Sequence, residues 1–365
     1  MGNRCEFWKE YDSVAGVVSY CELAAFNRPV NPDFLAKIGC TAEKRKECLG
    51  TMELNIGWGT VPGVAEAPPA PQPAPAPAAP VLACDPPPMV ASTAVESARK
   101  KAATKAPSLQ LLAILAGAYI ALGAIMYTIV TNDLSAHLGD GLSRLIGGMS
   151  FSLGLILVIL GGAELFTGNN LLVTGLLERK VTWKQVANNW TWVYIFNFVG
   201  SLLVVLLFFY SGIWKANNAA IGMRAVNIAY LKATLSWSEA FFRGIMCNWL
   251  VCLAVWLSMA AKDGISKILG IMIPITAFVA AGFEHSIANM YFIPMGIVLS
   301  QSPVLQPALD AAVLQGLTVS NFFLNNLIPV TLGNIVGGAI FVGVAYWSAY
   351  LRPASSKMAN GRITK

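Results

Sequence analysis

The stretch FEHSIANMYFIP, residues 283–294, sets an acid and a histidine inside a long apolar region of the chain. Apolar runs flank it on both sides, so Glu284 and His285 lie where a lipid-buried helix ordinarily tolerates neither. The only other histidine, His137, belongs to the hydrophilic segment SAHLGDG, where we expect it to be solvated. His285 is therefore the first candidate for a functional residue.

The composition predicts a protein that crosses a membrane several times. Of 365 residues 56% are hydrophobic and only 12% are charged, and the mean hydropathy is +0.59, whereas about a quarter of a soluble domain is charged. One spanning helix needs about 20 apolar residues, which predicts six spans for this chain. The uncharged windows are 106–132, 145–163, 185–214, 244–261, 268–283 continued by 286–309, and 311–351.

Basic residues orient these spans. Four clusters precede span 1, separate spans 2 and 3, separate spans 4 and 5, and follow span 6, so all four fall on one side. The positive-inside rule makes that side cytoplasmic and predicts two cytoplasmic termini for a multi-pass protein of the plasma membrane or an organelle membrane. The net charge of +6 is thus explained by topology and not by nucleic-acid binding. The clusters are Arg99, Lys100, Lys101 and Lys105; Arg179, Lys180 and Lys184; Lys262 and Lys267; and Arg352, Lys357, Arg362 and Lys365.

The two halves of the apolar region repeat the same motifs in the same order. Span 2 carries GGAELFTGNNLL and span 5 carries GFEHSIANMYF, and each places a Glu five residues before an Asn: Glu164 before Asn169, and Glu284 before Asn289. Span 3 then carries NFVGS and span 6 carries NIVGG. Because three spans are an odd number, the second copy must run in the opposite direction, which predicts an inverted repeat with the substrate path between the halves.

Spans 2 and 5 are expected to be broken at mid-membrane by these polar motifs, because Thr167 and the residues after it favour a turn over a helix interior. Backbone groups freed at that depth survive only inside protein or beside water, so the breaks should face a pore. The half-helix ends would direct N–H dipoles inward as an anion site. Glu164, Asn169, Glu284 and Asn289 are expected to support the breaks, and His285 to act in the pore or to tie two helices as a neutral ring.

The first hundred residues are of a different composition. Residues 1–60 mix acids, bases and aromatics and are compatible with a small helical cap in the cytoplasm; residues 61–106 are a Pro/Ala-rich linker followed by a basic flank. The transporter domain is then 107–351, and 352–365 form a cytoplasmic tail. None of the seven cysteines forms a close CxxC pair, so free thiols and no metal site are expected.

Six segments together carry a family resemblance. They are GAYIALG, FSLGLILVILGGAELFTGN, NNWTWVYIFNFVGS, FFRGIMCNWLVCLAVW, FVAAGFEHSIANMYFIPMGI and NLIPVTLGNIVGGAIFVG. They resemble the formate/nitrite transporter family along nearly all of residues 107–351. The resemblance implies a homopentamer of six-helix protomers in an aquaporin-like arrangement. Each protomer would pass small monovalent anions such as formate and nitrite, with lactate, bicarbonate or hydrosulfide in some members.

The same resemblance assigns roles to individual residues. The family's central histidine falls on His285, its threonine in the broken second helix on Thr167, its asparagine in the fourth span on Asn248, and the lysine before that span on Lys232. The pore constrictions fall on Phe151, Leu155, Leu165, Val251 and Phe278.

A proton-coupled pathway follows as a hypothesis. Lys232 and the helix dipoles would draw in the anion, Thr167 and Asn248 would replace part of its water shell, and a proton from His285 or from bulk water would neutralise it. The partners are then a small anion, a proton and the lipid bilayer, with no cofactor and no catalytic residue. A neutral-solute channel of aquaporin type is the alternative, but it predicts two Asn-Pro-Ala motifs, and the chain has none. A membrane enzyme would need a cluster of ligands around the histidine.

Overall fold

The computed structural model describes residues 8–13, 16–21 and 84–352, and the chain divides into two units, residues 1–79 and 80–365. In the first unit, β1 (Trp8–Ser13) pairs antiparallel with β2 (Gly16–Cys21). These two segments form strands and not the helical cap expected over residues 1–60. The rest of that extension, the Pro/Ala stretch before residue 84 and the tail after residue 352 lie outside the described residues.

The second unit is helical. Within residues 84–352, six helices are long and apolar enough to cross a membrane, which confirms the six predicted spans. They are Ala106–Val130, Leu134–Leu160, Trp183–Ser211, Trp237–Ala260, Gly264–Ala281 and Val319–Tyr350, and the last of them contains two π-helical segments, Phe322–Leu327 and Val336–Val344. In chain order the helices are α1 (Pro87–Ala102), α2 (Ala106–Val130), α3 (Leu134–Phe151), α4 (Leu153–Leu160), α5 (Phe166–Asn169), α6 (Leu172–Leu177), α7 (Trp183–Ser211), α8 (Ala220–Ala233), α9 (Trp237–Ala260), α10 (Gly264–Ala281), α11 (Ser286–Ser300), α12 (Ala311–Gly316), α13 (Val319–Asn321), α14 (Ile328–Ile335) and α15 (Ala345–Tyr350).

Local sequence signals set where two of the long helices begin. Thr182 and Gln185 form a capping box at the start of α7, in which each side chain accepts from the other residue's backbone N–H. Ser236 and Glu239 form the same arrangement at the start of α9. A capping box satisfies two of the backbone donors that the first turn of a helix leaves free. Both spans therefore have a defined first residue.

Helix α1 corrects the expectation of a linker and basic flank over residues 61–106. It begins with proline, which is favoured in the first turn of a helix, and buries Val90, Ala91, Ala94 and Ala98 along one face. Its last turn carries basic residues, which a helix C-terminus favours. The helical unit therefore starts before residue 107, and one basic residue of the predicted flank, Lys101, is placed in a polar site.

The same backbone contacts recur in both halves of the unit. The Glu164 N–H donates to the Leu112 carbonyl at 3.1 Å, and the Glu284 N–H donates to the Arg243 carbonyl at 3.3 Å. Helix α8 precedes α9 as α1 precedes α2, so each half consists of a short helix followed by three spans. The repeat is thus one helix longer at its start than the sequence motifs suggest.

Two equivalent glycines allow the spans within each half to pack closely. A Cβ atom on Gly200 of α7 would run into the carbonyl oxygen of Ile114 on α2. A Cβ atom on Gly337, in the last span, would run into the carbonyl oxygen of Ile245 on α9. These are the glycines of the NFVGS and NIVGG motifs. Their missing side chains bring backbone against backbone, as small residues do at the interfaces of membrane helices.

Candidate functional site

Two helices of the unit are interrupted at equivalent places. Helix α4 ends at Leu160 and α5 begins at Phe166, while α10 ends at Ala281 and α11 begins at Ser286. Gly162 at φ 71° and Gly282 at φ 78° turn the chain in the two gaps. Both angles lie in the left-handed region, which glycine adopts without steric cost. The polar motifs of spans 2 and 5 therefore lie where the backbone leaves the helix.

Asn197 and Asn334 hold the two interruptions in place. Asn197 Oδ1 accepts from the Phe166 N–H at 3.0 Å, and Asn334 Oδ1 accepts from the Ser286 N–H at 2.9 Å. Asn197 Nδ2 donates to the carbonyl of Glu164 at 2.9 Å, and Asn334 Nδ2 donates to that of Glu284 at 3.0 Å. The first N–H of each resumed helix is therefore satisfied by protein and is not free for an anion. The two asparagines are the first residues of the NFVGS and NIVGG motifs, but the sequence alone did not show that they hold the interruptions.

The two glutamates form matching ion pairs. Lys101 Nζ lies 2.8 Å from Glu164 Oε1, and Lys232 Nζ lies 2.8 Å from Glu284 Oε1. On each glutamate the second carboxylate oxygen accepts from an asparagine amide at 2.7 Å, Asn169 for Glu164 and Asn289 for Glu284. The glutamates were expected to support the broken backbone, but their carboxylates bind lysine and asparagine side chains instead. Lys101 is the equivalent of Lys232. The sequence did not reveal this equivalence, because Lys101 belongs to the basic cluster that precedes span 1.

His285 and Thr167, predicted to share the pore, lie in contact. His285 Nε2 is 2.9 Å from Thr167 Oγ1, and His285 Nδ1 accepts from the Ala288 N–H at 3.0 Å as the N-cap of α11. Since Nδ1 accepts, the neutral ring carries its proton on Nε2 and donates it to Thr167. Each of the two interrupted helices supplies one member of this pair.

Asn248 was expected to replace part of the water shell of the anion, but the structure uses its amide to bind backbone carbonyls. Its Nδ2 donates to the carbonyl of Thr167 at 3.2 Å and to that of Asn334 at 2.7 Å. Both amide hydrogens are therefore used, and the remaining Oδ1 is an acceptor that an anion would avoid. Asn248 positions the backbone of Thr167 and has no donor left for an anion.

Aromatic rings pack beside the histidine in the wall of the first cavity. Phe278 stacks against the His285 ring with centroids 6.0 Å apart, and Phe151 meets Phe278 edge-on at 5.8 Å. Phe292, which was not among the predicted constrictions, stacks on Phe151 at 6.4 Å. These four rings form one continuous apolar and aromatic cluster.

Two cavities open toward this centre. The first vestibule, of about 470 Å³, is lined by Lys232, Glu284, His285 and the phenylalanines. The second vestibule, of about 450 Å³, is lined by the predicted constriction residues Leu155 and Leu165 together with Lys101, Glu164 and Lys267. Thr167, 0% exposed, and Val251, 1% exposed, line neither cavity. The two vestibules of the described residues are therefore separate cavities, with Thr167 and Val251 buried outside both.

The described residues contain six helices long enough to span a membrane, an interrupted helix in each half and two charged vestibules, the first of them lined by a buried histidine. These features define a multi-pass membrane transport protein. The family model described as formate/nitrite transporter matches residues 88–348. The chain belongs to the formate/nitrite transporter family, as its sequence resemblance indicates.

Individual relatives agree with this assignment. The chain is 44% identical over 259 residues to a probable formate transporter of Methanothermobacter thermautotrophicus, covering 66% of this chain and 88% of that one. It is 44% identical over 245 residues to the formate channel FocA of Escherichia coli K12, covering 66% and 86%. A solved pentameric formate channel with formate bound superposes with a TM-score of 0.61 at 38% identity, covering 70% of this chain and 98% of that chain. These relatives are transporters or channels, and their names describe no enzyme.

Proposed function

We propose that this protein moves small monovalent weak-acid anions across a membrane, with formate as the first substrate to test. The observation that carries the proposal is the buried contact between His285, which lines the first charged vestibule, and Thr167, whose neighbour Gly168 lines the second. Relatives named as formate channels support formate in particular. Nitrite, lactate, bicarbonate and hydrosulfide are further substrates of the same chemical kind.

The path demands that the anion lose its charge. Moving a bare ion from water into a low-dielectric passage costs tens of kcal/mol by Born estimates, and a change of protonation state avoids that cost. The rings of Phe151, Phe278 and Phe292 offer a passing anion no hydrogen-bond donor. A carboxylate that takes up a proton before this cluster crosses it as a neutral acid. Transport is then coupled to protons.

The tautomer of His285 determines which role the ring has in the proposed transport. A ring held on the Ala288 N–H through Nδ1 cannot become an imidazolium without giving up this cap. The Nε2 proton donates to Thr167 Oγ1, which leaves the threonine hydroxyl free to donate to the anion. The proton that neutralises the anion then comes from vestibule water, and the Thr167–His285 pair holds the acid while it forms.

The proposal also covers the number of protomers and the side of the membrane on which the termini lie. The solved relative that superposes on this chain is a pentamer, and we propose that this chain also forms a homopentamer in which each protomer has its own path. We also propose that both termini lie in the cytoplasm, as the positive-inside rule indicates for the basic clusters.

Fluxes into proteoliposomes test this function. Purified protein should carry formate, and more slowly nitrite, lactate and bicarbonate, with rates that increase as the outside pH is lowered. Glycerol serves as the control for a neutral-solute channel. Rapid glycerol swelling without anion uptake would contradict the proposal and favour the aquaporin-like alternative.

A further inference from the structure

Arg224 on α8 lines the first vestibule with its charge unpaired. Its Nε donates to Thr131 Oγ1 at 3.2 Å, and its guanidinium carbon lies 6.0 Å from the centre of the Tyr127 ring. Among residues 84–352, no carboxylate oxygen lies within ion-pair distance of this side chain. Arg224 is only partly exposed, so its guanidinium lies in the cavity wall without a carboxylate beside it.

The other basic side chains of the first vestibule are either paired with a carboxylate or exposed. Lys232 is neutralised by Glu284 at 2.8 Å, and Arg243 lies 3.5 Å from Glu239. Arg144 is exposed. The lining of this vestibule contains two acidic residues, Glu284 and the exposed Asp140. The half-buried positive charge left to attract an anion is therefore on Arg224.

The position of Arg224 orders it before Lys232 on the path inward. The two residues are eight apart on α8, which separates them by about 12 Å along the helix axis. Ile228, one turn from each, lines the same cavity between them. An incoming anion would meet Arg224, then the Lys232–Glu284 pair, and finally His285.

The second vestibule has a half-buried cation outside its lysine–glutamate pair, Lys267 on α10, but no charge at the position equivalent to Arg224. The offset that relates Lys101 to Lys232 and Leu112 to Arg243 relates Thr93 to Arg224, and Thr93 lines the second vestibule. Thr93 is uncharged. The two halves thus share the lysine–glutamate pair but differ at the outer position of the mouth.

We propose that Arg224 is an anion-capture residue at the mouth of the first vestibule and that it binds small monocarboxylates before they reach the Lys232–Glu284 pair. With Nε held by Thr131, the two Nη groups present the planar edge that binds a carboxylate through two parallel hydrogen bonds. This inference rests on the proposed transport of weak-acid anions and adds a specificity-determining residue to it.

The test is the kinetics of formate uptake into proteoliposomes for the wild type, Arg224→Gln, Arg224→Lys and Thr131→Val. Loss of one partly exposed charge-assisted contact should raise the KM of Arg224→Gln about three- to tenfold. Its Vmax should stay within about twofold, because capture precedes the aromatic cluster. Arg224→Lys keeps the charge but not the planar edge, so its KM should lie between those of the wild type and Arg224→Gln. Thr131→Val keeps the guanidinium, so its KM should change less than that of Arg224→Gln.

Lys215→Gln is the matched control. Lys215 is a cation of the segment just before α8, packed 5.3 Å from the Trp214 ring and outside the vestibule lining. An unchanged KM in Arg224→Gln, or an equal rise in Lys215→Gln, would overturn the proposal, the latter by showing a general surface-charge effect. If wild-type liposomes carry no anion faster than empty ones, the proposed function itself fails.

Discussion

At the scale of single residues, His285 joins a structural and a chemical role in one ring. Its Nδ1 caps α11 and its Nε2 meets Thr167, so the helix start fixes the tautomer that faces the path. Sequence reasoning identified His285 and Thr167 through the oddity of polar residues in apolar spans. It misjudged Asn248, because a residue's type does not show which of its hydrogen-bonding atoms are already used.

Lys232 and Glu284 give a residue-scale prediction. Glu284 is 3% exposed, so Lys232→Met leaves a buried charge without its partner and should lower the free energy of unfolding by about 3–5 kcal/mol. The double variant Lys232→Met with Glu284→Gln removes both charges and should recover most of this loss. Unfolding titrations of the purified protein in detergent measure both effects. A double variant as unstable as the single one would contradict the ion-pair assignment.

At the scale of elements, the repeat explains why distant residues act alike. The spans were predictable because each is a long apolar run, and the repeat because its motifs recur in order. Helix α1 was not predictable, because its buried face consists of Val90 and alanines, whose small apolar area gives a weak hydrophobic pattern. The prolines at its start also suggested a linker. Its equivalent, α8, was likewise missed as a member of the repeat.

The two close-packing glycines give a prediction at this scale. Gly200→Ala and Gly337→Ala each force a methyl group against a backbone carbonyl, so each should destabilise the protein by about 1–3 kcal/mol, and by similar amounts. Gly141→Ala is the control, because a Cβ atom there meets nothing within 4 Å. The comparison uses thermal unfolding of the three variants in one detergent. Equal stability of Gly200→Ala and Gly141→Ala would show that the spans are not in the described contact.

At the scale of the whole molecule, each of the two vestibules contains one lysine–glutamate pair. The cluster of Phe151, Phe278 and Phe292 lines the first vestibule, and the buried centre holds the Thr167–His285 contact. An ion cannot pass such a centre at low cost while it keeps its charge. The central claim is therefore that formate and a proton cross together, held by this contact.

Simultaneous measurement of formate and proton fluxes in proteoliposomes tests that claim most directly, using the wild type, His285→Asn and empty liposomes. Asparagine is a good N-cap residue, so the variant keeps the start of α11 but lacks the Nε2 proton that donates to Thr167. We predict one proton carried per formate for the wild type, and both fluxes reduced at least about tenfold in His285→Asn. Formate flux without protons in the wild type, or undiminished coupled flux in His285→Asn, would contradict the account.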